Sequence, residues 1–272
     1  MREITKQINE GLEKLRQEGP LIHHLTNHVV MNDCANITLH IGGAPVMTFA
    51  PQETEEMASL ASGVVLNIGT LTEEYVEEMI TAGKVARQKG VPVLLDPVGA
   101  GATSMRTSAA KRILDEVGVD IIKGNAGEIS VLAGIDATVR GVDSMGTSME
   151  PSSVVQKMAA DYKIVAVITG ETDWVSNGED TYKVKNGHKY LSALVGTGCM
   201  LDSITTAFAS AMEDRSMASV AALAVFGISA ELAALNPEVK GPASFKKSLF
   251  DEIYNINGDK IEKRAKIEKL HQ

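Results

Sequence analysis

Gly196-Thr197-Gly198-Cys199 precedes a run of small and apolar residues that continues past Met212 without glycine or proline. That pattern predicts a strand-and-turn segment feeding the N-terminus of a helix. The first N–H groups of such a helix have no partner within it, and its dipole places positive charge there, so the segment suits a phosphate or a developing anion. Gly196, Thr197 and Gly198 are the candidate anion hole; the two glycines let backbone approach a ligand and allow φ > 0. Cys199 is a candidate catalytic group, standing where a thiolate is favoured. The plainer reading is a strand-to-helix turn with a small buried cysteine. Three more groups follow apolar segments: Asp96 after Val93-Leu94-Leu95, Lys123 after Val119 to Ile122, and Glu128 just beyond. Carboxylates that hold Mg²⁺, a cation and free amides that offset phosphate charge are the parts of a phosphoryl-transfer site. Taken singly, each also reads as an ordinary strand-end turn, a solvated lysine or a surface-helix carboxylate. Neither GxxxxGK[ST] nor GxGxxG occurs, which excludes a P-loop and a dinucleotide fingerprint.

The elements that must position these groups alternate along the chain. Ile4, Ile8, Leu12 and Leu15 recur at helical spacing up to Gly19-Pro20. Leu21 to Thr26 reads as a strand, followed by a polar turn and a helix that ends at Gly42-Gly43. Pro45 to Thr48 is a strand, 54–62 a helix, and Gly63 to Ile68 a buried strand. Thr70 with Glu73 has the capping-box form, and Thr72 offers a second cap for a helix through Arg87. Strands at 93–95, 119–123 and 164–168 alternate with further helices, and Asn177-Gly178 predicts a tight primed turn between 174–176 and 182–184. A charged surface helix from about Asp259 ends the chain. Continuous apolar strands alternating with amphipathic helices predict a mainly parallel sheet with helices on both faces, where ligands lie at the carboxyl ends of strands. Asn27, Met47, Asn67 and Asp96 fall there.

At 272 residues the chain is expected to form a single domain over 1–272. A formal charge of −9 with 4% aromatic residues argues against a nucleic-acid surface. The two cysteines, Cys34 and Cys199, form no disulfide framework or CxxC pattern, and the charged N-terminus has no signal-peptide core, so a cytoplasmic setting is expected. Residues 217–235 are apolar but carry Ser219, Ser229 and Glu231, which reads as a buried helix rather than a membrane span. His24 and His28 are four apart, yet straddle a strand end and lack completing ligands, so no metal site is read from them.

Six segments occur in this order: 26–30 (Thr-Asn-His-Val-Val), 43–47 (Gly-Ala-Pro-Val-Met), 66–71, 95–102 (Leu-Asp-Pro-Val-Gly-Ala-Gly-Ala), 123–129 (Lys-Gly-Asn-Ala-Gly-Glu-Ile) and 196–199 (Gly-Thr-Gly-Cys). Together they resemble the hydroxyethylthiazole kinase family, thiamine-salvage members of the ribokinase-like fold, over essentially the whole chain. The resemblance implies a three-layer α/β fold and ATP-dependent phosphorylation of the hydroxyl of 4-methyl-5-(2-hydroxyethyl)thiazole with Mg²⁺. It places Asp96 and Glu128 at Mg²⁺ and its waters, Lys123 and Thr169 at ATP, and Met47, Gly196, Asn27 and Val29 at the thiazole. The family position of Lys123 is basic, Lys or Arg, and lysine keeps the charge without the planar fork. Cys199 falls where most ribokinase-like kinases carry an aspartate base. A homotrimer with substrate sites between subunits is also implied.

Competing readings are a hydroxymethylpyrimidine or pyridoxal kinase, expected to carry Asp in place of Cys199, and a hydrolase using Cys199 as nucleophile. A non-catalytic nucleotide sensor would not need Asp96 and Glu128.

Overall fold

In a computed structural model, the backbone is described for residues 2–135, 137–140, 143–147 and 149–270, and side chains for 2–135 and 149–270. The elements are α1 (Arg2–Glu18), β1 (Leu21–Leu25), α2 (Met31–Ile41), β2 (Ala44–Met47), α3 (Thr54–Leu60), β3 (Gly63–Asn67), α4 (Glu73–Gln88), β4 (Val93–Asp96), α5 (Ser104–Val117), β5 (Ile121–Asn125), α6 (Ala126–Leu132), β6 (Ala137–Arg140) and β7 (Asp143–Thr147). They continue with α7 (Pro151–Tyr162), β8 (Val165–Thr169), β9 (Asp173–Ser176), β10 (Thr181–Val184), α8 (Thr197–Ala211), α9 (Arg215–Leu235), α10 (Pro242–Tyr254), α11 (Gly258–Arg264) and β11 (Ile267–Leu270). One nine-stranded sheet has the order β11-β10-β9-β8-β5-β4-β3-β1-β2. Every pairing from β2 across to β8 is parallel, and β9, β10 and β11 add antiparallel strands at the other edge.

The period-2 alternation of the strands builds two cores. Val65, Leu94, Ile121, Val165 and Val167 face α1, α2, α8, α9 and α10. Their neighbours Val64, Leu66, Val93, Leu95, Ile122, Ala166 and Ile168 face α3 to α7. Helices on both faces of a mostly parallel sheet are the expected three-layer α/β arrangement. The apolar α9, 21 residues long, is the one helix among the described residues with the length and hydropathy to cross a membrane, and 78% of its apolar window is buried in the protein.

Four local expectations change. Thr72, not Thr70, caps α4 by accepting from Tyr75 N, while Thr70 Oγ1 accepts from His28 N. The β9–β10 connection pairs Ser176 with Thr181 and so has a four-residue loop. Asn177 Oδ1 caps Glu179 N and Asp180 N, and only Gly178 in that loop has positive φ, so the side chain replaces the primed turn. The segment before Gly196 is a 3-10 turn over Lys189–Ala193 rather than a strand. After α11 the chain returns as β11, whose short Ile267–Leu270 pattern is buried at Ile267 alone and gives almost no periodic signal.

Candidate active site

The parallel strands bring Thr26-Asn27, Asn67, Asp96, Lys123 and Thr169 to one edge of the sheet. Asn67, Asp96 and Lys123 lie two residues beyond Val65, Leu94 and Ile121, and therefore share the face that α8 covers. From α8 come Cys199 and Asp202, one turn apart and on one side of the helix.

Asn67 joins these groups. It is fully buried, and its Nδ2 lies 3.0 Å from Asp96 Oδ2, 3.0 Å from Asp202 Oδ2 and 3.3 Å from Cys199 Sγ. Its Oδ1 accepts from Asn27 Nδ2 and from Gly69 N, each at 3.0 Å. Two amide hydrogens cannot serve three acceptors, so the carboxylates take both and the thiol is left to Asn27 Nδ2, 3.2 Å away. Lys123 is 2% exposed, with Nζ 3.3 Å from Asp96 Oδ2 and 3.1 Å from Asp202 Oδ1. The second contact is an ion pair whose angles do not make a hydrogen bond. Burial opposes the lysine's charge, but the Asp202 and Asp96 carboxylates outweigh it and hold the ammonium above its ordinary value. Asp202 is pushed well up by burial and then by Asp96.

The surroundings of Cys199 do not favour a thiolate. Cys199 is the third residue of α8, yet burial, followed by the charges of Asp96 and Asp202, raises its thiol above the ordinary value and outweighs Lys123. It is a protonated thiol at neutral pH, and among the described residues no histidine is one of its hydrogen-bond partners. His24 instead bonds Ser203 Oγ at 3.0 Å and is pushed down to about 4 by burial, while exposed His28 stacks on Phe49. The two histidines do not converge.

Gly196 caps α8 with φ +83°, and a Cβ there would meet Val30 Cγ1 at 2.1 Å. The first bond of the helix runs from Met200 N to Gly196 O, so the N–H groups of Thr197, Gly198 and Cys199 precede the ladder. Gly198 is inside the helix and needs no unusual φ. Within 4 Å a Cβ there would meet only Lys123 Nζ, at 3.7 Å. This first turn borders a cavity of about 670 Å³ whose lining includes Thr169, Asp173, Thr197, Gly198, Leu223 and Phe226. Asp173 Oδ1 accepts from Gly170 N, and burial pushes its carboxyl up to about 7.

Glu128 forms the capping box of α6 with Asn125, and its other oxygen accepts from Gly99 N at 2.7 Å. Burial, then the charge of Asp96, pushes it up to about 7. Arg106 steadies the same region by donating to Ile68, Gly69 and Val98 carbonyls, tying the loops after β3 and β4 together. Met47 is half-buried at the end of β2, beside β1. Val29 is 68% exposed, with Phe49 at 55% and Val195 at 72%.

Residues 12–259 match the hydroxyethylthiazole kinase family. The chain belongs to this family. A hydroxyethylthiazole kinase of Thermoanaerobacter pseudethanolicus is 51% identical over 95% of this chain and 98% of its own. The structure of the hydroxyethylthiazole kinase protein of Pyrococcus horikoshii OT3 superposes with a TM-score of 0.89 at 40% identity, covering 98% of this chain and 100% of that one. Staphylococcus aureus pyridoxal kinase shares the fold, with a TM-score of 0.61 at 15% identity over 92% of this chain and 97% of its own. Of the residues the resemblance pointed to, Asp96, Lys123, Asn27 and Cys199 meet in one network, Thr169 and Gly198 line the cavity, and Val29 lies outside on the surface. Sequence reasoning assigned no role to Asp202, Arg106 or Asp173, and placed Asn67 at the ligand edge without giving it a task. A carboxylate three residues past Cys199 in an otherwise small and apolar helix was the available signal for Asp202.

Proposed function

We propose that this chain transfers the γ-phosphoryl group of ATP to the hydroxyl of 4-methyl-5-(2-hydroxyethyl)thiazole, a step of thiamine salvage in the cytoplasm. The observation that carries the reading is the Lys123 ammonium, held against Asp96 and within 4 Å of the Cβ position of Gly198, a residue of the first turn of α8 that lines the cavity. A loose transition state requires positioning and charge stabilisation above all. The free amides of Thr197, Gly198 and Cys199, the helix dipole and Lys123 supply it. ATP occupies the cavity, with Thr169 and Lys123 toward its phosphates. The thiazole lies on the side of β1 and β2, among Asn27, Met47 and Gly196.

Mg²⁺ suits Asp96 and Glu128. Both donate oxygen only and both are buried, and the rise of Glu128, from burial and then from Asp96's charge, is one a hard cation would relieve. When bound, the ion offsets phosphate charge. The other close group, Asp96 with Cys199 and Asp202, brings ligand atoms within 4.8 Å of one another, but mixes a protonated thiol with two carboxylates that both pair with the Lys123 ammonium. Asn27 and the amides of α8 orient the acceptor hydroxyl, and Cys199 packs against it without serving as a thiolate base. Exposed Val29, Phe49 and Val195 gather near Gly196 and the end of β2, and a second copy covering them, as in a trimer, accounts for apolar groups at the mouth of a polar site.

The test is ADP release with Mg-ATP and a panel of thiazole alcohol, hydroxymethylpyrimidine, pyridoxal and a sugar, with the product identified by phosphorus NMR. Turnover with the thiazole alcohol alone is expected. Preference for the pyrimidine or pyridoxal would replace the substrate, and no ADP with any of them would remove the kinase reading.

A further inference from the structure

Asp202 is a fully buried carboxylate in a helix whose other buried residues are small, hydroxylic or apolar. Such a group is retained at a cost, and its contacts identify what it does. Oδ2 accepts from Asn67, and Oδ1 lies 3.1 Å from Lys123 Nζ. The other anion on that ammonium is Asp96, at 3.3 Å through the oxygen that also accepts from Asn67. Asp96 is the group assigned above to Mg²⁺, so the cation and the ammonium draw on one carboxylate. Asp202 gives the ammonium a partner of its own. An ammonium has three hydrogens; Asp96 accepts one, and Asp202 holds the charge from 3.1 Å without a hydrogen bond. An approach lies at the first turn of α8, where a Cβ on Gly198 would stand 3.7 Å from Nζ and glycine leaves that space empty.

We propose that Asp202 is a positioning residue for phosphoryl transfer: from the far side of Lys123 it fixes the ammonium so that its free N–H is presented past Gly198 to a phosphate of the nucleotide. The inference rests on the kinase reading and on Lys123 as the phosphate contact. It assigns the carboxylate of α8 to aim rather than to proton transfer, so its effect must pass entirely through Lys123.

A double-mutant cycle on kcat separates this from a structural ion pair. Asp202→Asn keeps the side-chain shape and removes the charge. It is expected to lower kcat ten- to a hundredfold, leave KM for the thiazole alcohol within twofold and shift Tm by only a few degrees. In a Lys123→Gln background, Asp202→Asn is expected to cost less than a further twofold, since nothing is left to aim. Losses that multiply in the double variant, or wild-type kcat in Asp202→Asn, would overturn the proposal. Should Asp202→Asn fail to fold, Asp202→Ser, which fills less space and leaves no misplaced amide, enters the same cycle with the same criteria. Wild-type protein in the same assay keeps the two levels apart. An inactive wild type refutes the proposed activity, and an active wild type with a multiplicative cycle refutes only the role of Asp202.

Discussion

Replacing Gly198 by alanine should make the protein at least as stable and much less active. Gly198 sits in the first turn of α8 at an ordinary helical φ, so alanine meets no backbone strain. A Cβ at that position touches nothing closer than Lys123 Nζ at 3.7 Å, an ordinary van der Waals distance, so it meets no packing conflict either. Alanine in a helix is favoured over glycine by up to roughly 0.5–1 kcal/mol, and less near the end of the helix. For a chain of this size that corresponds to a rise in Tm of about 1–4 °C. The same methyl group would stand 3.7 Å from the ammonium, at a residue that lines the cavity. Loss of one preorganised donor to a developing phosphate charge typically costs about 10²–10³ in kcat. Scanning fluorimetry and ADP release on one preparation test both arms. Wild-type turnover in Gly198→Ala would refute the ammonium's approach past this residue, and a fall in Tm of several degrees would refute the account of the helix. Gly196→Ala is the control with the opposite signature. Its φ of +83° and a 2.1 Å encounter with Val30 predict loss of stability and activity together.

Cys199→Ala should retain detectable kinase activity, with kcat reduced by about a hundredfold or less. Because the thiol is raised above its ordinary value, the wild-type pH–rate profile should show no thiol limb between pH 6 and 9; a folded but dead variant would restore the cysteine-nucleophile reading. Glu128 is raised from 4.5 to about 7 in the folded chain, so its contribution to stability is complete below pH 4.5 and is lost as pH rises through 7. In EDTA, the Tm of wild type relative to Glu128→Gln should therefore fall between pH 4.5 and 8, and Mg²⁺ should recover it at pH 8; a flat difference would contradict both the shift and the metal assignment. Phe49→Ser with Val195→Ser should weaken self-association and raise KM for the thiazole alcohol. Light scattering that gives a fully active wild-type monomer at micromolar concentration would rule out sites shared between subunits.

Strand positions were legible in the sequence because burial on both faces demands continuous apolar runs, as in Val64-Val65-Leu66 and Val93-Leu94-Leu95. The polar residues that end those runs, Asn67 and Asp96, marked the ligand edge for the same reason: a parallel sheet opens at the carboxyl ends of its strands. Glycine ended the helix it was expected to end, at Gly42. Local sequence could not decide which charges would meet. Asp202 looked like one more residue of α8 until helix packing placed it 3.1 Å from a lysine on β5, 79 positions earlier in the chain. The same packing decided the state of Cys199, since burial and then the charges of Asp96 and Asp202 outweigh what a helix N-terminus offers a thiolate. It also turned Gly198 from a residue needed for backbone freedom into one needed for access, because the reason for a missing side chain depends on what stands opposite, and that is a property of the tertiary structure.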